Sequence, residues 1–442
     1  MKEDKSNTND PTLSVDLSEA TQAVKENRFE DALMLFEIIL KDHPENIDAL
    51  YLASVSSRYL KKFDDSQKYI ENLLLNAPDM GRAYQELGHI NRDMGNDEKA
   101  VINYRQACEL NPALLASWNM LNQYFIKNKN QPAADHAQQQ IKKLESLPPA
   151  LLYIDQILNE GRLGLAERQC RAFLKKNPTH TYAMSLLSEI ANRLGYFDDA
   201  EFLLEKAVEF KPKDGDLRMQ YAAILRKKQK FAKTMEQVNI LCDQYPDNPI
   251  YQAQKASEMM QNGDHAQAIK MFDSILSNNP YNFSTHTSKG HAQKTLGDTD
   301  QAIKSYQSAY QIKPDHGEAY FSLANLKTYT FSQLNIANLE QQITIDSNKL
   351  NKAQLHFALA KAYEQQNRYE DAFLQLKISN DLQKSLTPYI TNDFNERCKN
   401  YITKKAANEV LPLSESEVQL IFIVSLPRSG STLIEQILAS HS

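Results

Sequence analysis

The chain has 442 residues, 42% hydrophobic and 24% charged, with only 12 Gly and 16 Pro, which excludes a disordered, collagen-like or turn-dense β protein and favours helix. Fifty Lys and Arg against 56 Asp and Glu give a formal charge of −6, which excludes nucleic-acid binding through net positive charge. The first twenty residues lack the apolar core of a secretory signal and no run approaches the roughly 18 apolar residues of a membrane span, so a soluble cytoplasmic chain is expected.

Residues 1–12 are polar and are expected to be a disordered start. From residue 13 a ruler governs the chain: Pro44, Pro78 and Pro112 are spaced by 34, and Pro178, Pro212, Pro246, Pro280 and Pro314 are again spaced by 34. The interval from Pro112 to Pro178 is 66, so one repeat near 115–146 has lost two residues and kept the frame. A period in this range marks stacked repeats of one supersecondary unit.

Numbering each repeat from 1 with its proline at 32 places a small residue at position 20: Ala32, Ser66, Ala100, Ala134, Ala166, Ala200, Thr234, Ala268 and Ala302. Apolar residues follow at position 24 (Phe36, Ile70, Tyr104, Leu204, Phe272, Tyr306) and position 27 (Ile39, Leu73, Phe173, Leu241, Ile275), and spacings of four and three make one helical stripe. Position 8 is small or polar in turn, as in Ala20, Ser54, Gly88, Ser188 and Gly290, so two helices approach closely. Turns such as Met94-Gly95-Asn96-Asp97 and Leu296-Gly297-Asp298-Thr299 separate the helices, Gly supplying a left-handed cap. The proline ends the second helix by removing a donor and by forcing the residue before it, such as Asn111, out of the helical region.

This pattern resembles the tetratricopeptide repeat, best in residues 81–114 through Tyr84, Leu87, Gly88, Ala100, Tyr104, Ala107 and Pro112. The expected fold is all-α, a tetratricopeptide-repeat superhelix of about ten to eleven helix hairpins over 13–386, irregular at 331–352 and resuming at Ala353 with His356, Leu359, Ala360, Ala372 and Leu376. One hairpin cannot bury its own stripe, so neighbours stack and the first helices line a groove for a protein or peptide. Positions 12 and 13 of those helices carry Lys25, Arg58, Arg92, Lys127, Arg193, Arg226, Lys227 and Lys294, opposed only by Asp93. Two readings stand: cations in a last helical turn that suit the dipole and face water, or a basic groove for an acidic peptide centred on Arg58, Arg92, Arg193, Arg226 and Lys294.

Cys108, Cys170, Cys242 and Cys398 lie far apart with no CxxC pair, and read as reduced packing thiols. His286 and His291 are five apart and fall on different helix faces, so no metal site is expected. Trp118, the only tryptophan, reads as hairpin packing.

Residues 387–417 are expected to be a helical linker, and 418–442 change character. Val418 to Val424 is a β-branched and aromatic run, then Pro427-Arg428-Ser429-Gly430-Ser431-Thr432-Leu433, then an apolar helix pattern at Leu433, Ile434, Ile437 and Leu438. Strand, tight loop and helix place backbone amides and Ser or Thr caps at a positive helix end, a cradle for phosphate or sulfate, and Arg428 adds a charged fork. It is not a Walker A loop, since Ser431 stands where the Lys would be.

The segment IFIVSLPRSGSTLIEQILASHS is similar to the 5′-phosphosulfate-binding loop of sulfotransferases, including bacterial proteins that fuse tetratricopeptide repeats to that domain. The resemblance implies that Arg428, Ser429, Gly430, Ser431, Thr432 and Leu433 hold 3′-phosphoadenosine 5′-phosphosulfate, with transfer to a hydroxyl, tyrosine included. The family's general base and the rest of its sheet have no counterpart before Ser442, so 418–442 is expected to be the first strand-loop-helix of an incomplete α/β domain, inactive as it stands. The alternative is a non-catalytic interaction scaffold; no nucleic acid, membrane or metal partner is expected.

Overall fold

The computed structural model describes residues 11–326, 328–345, 348–387, 391–404, 423–424 and 429–440. Among these every regular element is helical. The chain opens with α1 (Pro11–Lys25), α2 (Phe29–Asp42), α3 (Ile47–Tyr59), α4 (Phe63–Asn76), α5 (Gly81–Asp93), α6 (Asp97–Leu110), α7 (Leu115–Lys127) and α8 (Gln131–Glu145). It continues with α9 (Pro149–Asn159), α10 (Leu163–Lys176), α11 (Thr181–Leu194), α12 (Phe197–Phe210), α13 (Gly215–Lys227), α14 (Phe231–Gln244), α15 (Pro249–Gln261) and α16 (His265–Asn278). The last are α17 (Phe283–Thr295), α18 (Thr299–Ile312), α19 (Gly317–Ala324), α20 (Gln333–Gln342), α21 (Lys349–Gln365), α22 (Tyr369–Leu386), α23 (Thr391–Lys404) and α24 (Ser431–Ala439). Two compact units divide them, one ending at Lys313 and one starting at Pro314.

Local chemistry sets the ends of these helices. Asn46, Asp214 and Asn282 cap α3, α13 and α17, each accepting a backbone N–H from the first turn at 3.0, 3.2 and 3.1 Å. Before the periodic prolines the capping residue leaves the helix, as at His43 (φ −132°, ψ 71°) and Asn111 (φ −141°, ψ 90°). Each hairpin turn needs one left-handed residue. Gly95, Gly161, Gly195, Gly263 and Gly297 provide it with φ of 78–90°, while Asn27, Lys61, Lys129, Gln229 and Asn367 adopt it at φ of 55–60° without being glycine. The turn geometry is therefore more uniform than its sequence.

Within each hairpin the small positions meet. Every position-20 residue from Ala32 to Ala302 is buried. In α3 and α4 the hydroxyls of Ser54 and Ser66 each donate to the other's backbone carbonyl at 2.8 Å, and Ser188 donates to the carbonyl of Ala200 at 3.1 Å. Backbones that close leave no room for bulk. A Cβ on Gly88 would lie 2.5 Å from the Tyr104 ring, and one on Gly290 would lie 2.6 Å from the Tyr306 ring. Ala200, at 0% exposure, is equally confined, and Ala200→Leu is expected to lower the unfolding free energy by about 1–3 kcal/mol in urea denaturation.

Stacking then joins the hairpins. From α1 to α18 each second helix packs on its own first helix, and α2, α4, α6, α10, α12, α14 and α16 pack also on the first helix that follows, making the row of cores around Phe36, Ile70, Tyr104, Leu204 and Phe272. First helices meet the next first helix along the row, as α3 meets α5 and α15 meets α17. The two residues are missing not from 115–146, since α7 and α9 start at Leu115 and Pro149, 34 apart, but from the next hairpin, since α11 starts at Thr181, 32 after α9, and α9 has only 11 residues. There the rule breaks: α9 is tied to the loop after α6, where Asn111 donates to the Gln156 carbonyl and Gln156 donates to the Ala113 carbonyl, both at 3.0 Å.

In the second unit α19 packs on α21 rather than on a regular partner, with Phe321 and Phe357 rings 4.9 Å apart and the Gly317 N–H donating to Asn351 at 2.8 Å. The irregular stretch 331–352 contains the short α20, opened by a capping box of Ser332 and Asn335, and the start of α21. α21, of 17 residues, and α22, of 18, then form a longer hairpin that ends at Leu386. Pro11 and Thr12 belong to α1, which corrects the non-helical start expected there, and residues 1–10 lie outside the described residues.

The C-terminal expectations fare unevenly. α23 lies within the expected helical linker, whose residues 405–417 are outside the described residues. Of the expected strand, 418–422 fall outside them, and Ile423 and Val424 are in neither strand nor helix. No strand occurs among the described residues. α24 itself starts where the pattern predicts, but its cap is Gly430 at φ 89°, not a Ser or Thr side chain.

Candidate functional site

The row of first helices carries the cations read from the sequence, and Lys25 stands exposed at the end of α1. Arg58 is not free: its guanidinium donates to Glu86 at 2.6 Å and Asp93 at 3.2 Å, and it lies 4.6 Å from the Tyr59 ring centre. Burial works against that cation, and the hydrogen bonds of Glu86 and Asp93 overcome it and hold it charged. Arg92 pairs with Asp93 at 2.7 Å, Lys127 with Asp97 at 2.9 Å, Arg193 with Glu189 at 2.8 Å, and Arg226 with the buried Glu258. Lys227 and Lys294 have no carboxylate within pairing distance among the described residues; Lys227 donates to Asn192 at 2.7 Å, and both are exposed. The basic row is thus largely cancelled: Arg92 and Arg193 by carboxylates of their own helices, and Arg58, Lys127 and Arg226 by carboxylates on neighbouring helices, which no pattern along a single helix reveals.

A second arrangement recurs in α5–α6 and α17–α18. His89 Nδ1 lies 2.8 Å from the Tyr104 hydroxyl, and His291 Nδ1 lies 2.9 Å from the Tyr306 hydroxyl, each His following the Gly that admits the ring. Burial, with Arg58 and Arg92 adding, pushes the His89 imidazole down to about 4. Because the unfolded imidazole titrates near 6.5, its contribution to stability is full above that pH and is lost as pH falls towards 4. His89→Gln is therefore expected to flatten the pH dependence of the melting temperature between pH 6.5 and 4. Parallel melts of both proteins at several pH values check it.

The third arrangement crosses the row. Arg82 of α5 donates to Glu160 at 2.7 Å across 78 residues, and Arg162 donates to Asp48 of α3 at 3.3 Å across 114. Tyr51 of α3 lies under Arg82, 5.0 Å from ring centre to guanidinium, and burial pushes its phenol up to about 12. Glu160 and Arg162 lie in the turn after α9, the helix that is two residues shorter than α5 and α7. Sequence periodicity carried no signal for them beyond the two missing residues.

Two open clefts sit at hairpin junctions, one of about 720 Å³ between Lys213 and Tyr251 and one of about 840 Å³ between Tyr281 and Gln311. No cluster of three or more His, Cys, Asp or Glu that could hold a metal occurs among the described residues, and no helix there is long and apolar enough to cross a membrane. Trp118 donates to the Pro112 carbonyl at 2.9 Å and meets His136 edge-on, a packing role. In the C-terminal loop Ser429, Gly430, Ser431, Thr432 and Leu433 lie at the start of α24, and Arg428 lies outside the described residues.

A model of the tetratricopeptide repeat matches residues 81–114, 182–214 and 283–316. An uncharacterized protein of Aquifex aeolicus (strain VF5) is 24% identical over 291 residues, 64% of this chain, and the chain spans only 36% of that relative's length. Among solved structures, YrrB, titled a TPR protein with an unusual peptide-binding site, aligns with a TM-score of 0.34 at 15% identity over 42% of this chain and 96% of its own. Yeast Tom70 aligns with a TM-score of 0.38 at 13% identity over 90% of this chain and 95% of its own. The three matched segments are the third, sixth and ninth hairpins of the row, and the chain carries tetratricopeptide repeats.

Proposed function

We propose that this chain is an interaction scaffold whose row of first helices holds an extended segment of a partner protein. The observation that carries this reading is the row that the first helices make, α3 meeting α5, α5 meeting α7, α11 meeting α13 and α15 meeting α17, with polar side chains such as Gln220 and Lys294 exposed along it. Selection of random phage-displayed peptides on the whole chain, followed by hydrogen exchange with the enriched peptide, tests it. Protection confined to first helices is the expected result. Protection confined to second helices, or no enriched peptide, overturns it. A reducing, cytoplasmic setting suits the free thiols of Cys108, Cys170, Cys242 and Cys398.

A second reading rests on the start of α24. Gly430 stands at the cap with φ 89°, a Cβ there would meet open space, and the first helical hydrogen bond runs from Ile434 to Gly430. The amides of Ser431, Thr432 and Leu433 precede it and suit an anion, as the resemblance to sulfotransferases requires. When bound, 3′-phosphoadenosine 5′-phosphosulfate would supply the sulfuryl group; Ser429, Gly430, Ser431, Thr432, Leu433 and Arg428 are the residues proposed to hold its 5′ end, with a tyrosine or other hydroxyl as acceptor. Calorimetric titration with 3′-phosphoadenosine 5′-phosphate tests the loop. Binding that is lost in Ser431→Ala/Thr432→Ala supports the donor role, and an absence of heat at millimolar ligand removes it from this chain.

A further inference from the structure

We infer that the partner surface is the first-helix face of α11, α13, α15 and α17, that it takes an extended acidic segment, and that the matching face of α3, α5 and α9 is closed upon itself. The inference rests on the scaffold reading and assigns its place and its partner's chemistry. Three observations carry it. Across α3, α5, α7 and α9 four Lys and Arg balance four Asp and Glu, whereas α11, α13, α15 and α17 hold seven Lys and Arg against three Asp and Glu in a chain of net charge −6. In the first group the charges are spent on one another: Arg58 on Glu86, Arg82 on Glu160, Arg92 on Asp93, and Asp48 on Arg162. In the second group Lys227 and Lys294 stand exposed with no carboxylate within pairing distance among the described residues, two first helices apart.

The self-closure has a steric side as well. With Glu160 on Arg82 and Arg162 on Asp48, residues that follow α9 occupy the space above α3 and α5 that a peptide would need. Along α11 to α17 no ion pair of that reach occurs among the described residues; the pairs there stay within one helix or join nearby ones, as Arg193 with Glu189, Arg226 with Glu258, and Lys289 with Asp273 of α16. Packed helices lie roughly 8–10 Å apart, so four of them span about 24–30 Å. At about 3.3 Å per residue an extended segment of eight or nine residues covers that length. Acidic side chains along it would meet Lys227 and Lys294 and be steered to them at low ionic strength.

Fluorescein-labelled decaglutamate, read by fluorescence anisotropy on the whole chain at low salt, is the probe. The expected result is saturable binding that weakens at least tenfold in Lys227→Glu/Lys294→Glu, is kept in Lys227→Arg/Lys294→Arg, and changes less than twofold in Arg92→Glu. An equal or larger loss in Arg92→Glu overturns the assignment of place. Wild-type chain that ignores decaglutamate, yet protects first helices when given a phage-selected neutral peptide, overturns the acidic partner and leaves the scaffold reading intact. Selected peptides that protect α3 and α5 instead of α11 to α17 overturn the closure.

Discussion

Phe272→Ala is expected to lower the unfolding free energy by about 3–5 kcal/mol, the largest effect of any single truncation in the eighth hairpin. The ring is fully buried between α15, α16 and α17, in contact with the core of Ala256, Ala268, Ile275 and Ala292. Its removal leaves a void that the neighbouring small residues cannot fill, since alanines have no rotamers with which to follow. Each hairpin contacts chiefly its neighbours along the row, so the damage should stay local. Hydrogen exchange should rise in α15 to α18 while α3 to α6 keep their wild-type protection. Equal loss of protection throughout would show the row to be one cooperative unit instead.

Glu86→Ala is expected to cost about 3 kcal/mol, because it strands a buried cation instead of merely deleting a contact. Glu86 is 2% exposed and Arg58 10%, and their hydrogen bond is 2.6 Å long. Burial pushes the Glu86 carboxyl up and Arg58 opposes it, so the pair is held together by mutual need. Asp93 at 3.2 Å remains for Arg58 and keeps the loss from being larger. The double variant Arg58→Met/Glu86→Leu should recover most of the stability, as neither charge is then left without a partner. Urea denaturation of the two single variants and the double variant gives the coupling directly.

The self-closed N-terminal hairpins and the open C-terminal ones are built from the same repeat, and two missing residues separate their behaviour. The shortening falls in the fifth hairpin, where α9 has 11 residues against 13 in α5 and α7; α9 is tied to the loop after α6, and Glu160 and Arg162 behind it reach Arg82 of α5 and Asp48 of α3. The His–Tyr–Gly arrangement, by contrast, is indifferent to this break and occurs on both sides of it, at Tyr104 and at Tyr306.

The sequence by itself determined the repeat, the helix hairpin and the helix ends, because these depend on neighbours three, four or 34 residues away and on the backbone limits of proline and small side chains. It also located α24 and the loop before it. It read the left-handed turn position only where glycine marked it, at Gly95 and Gly297, since Lys61 and Gln229 reach the same conformation under the force of helix packing. Tertiary structure alone decided which cations are free. Arg58 and Arg226 look identical along their helices to Lys294, yet Glu86 and Glu258 of the next first helix neutralise the two arginines. An ion pair is set by distance in space, and contacts such as that of Arg162 with Asp48, 114 residues apart, arise only when a stack of helices has curled back on itself.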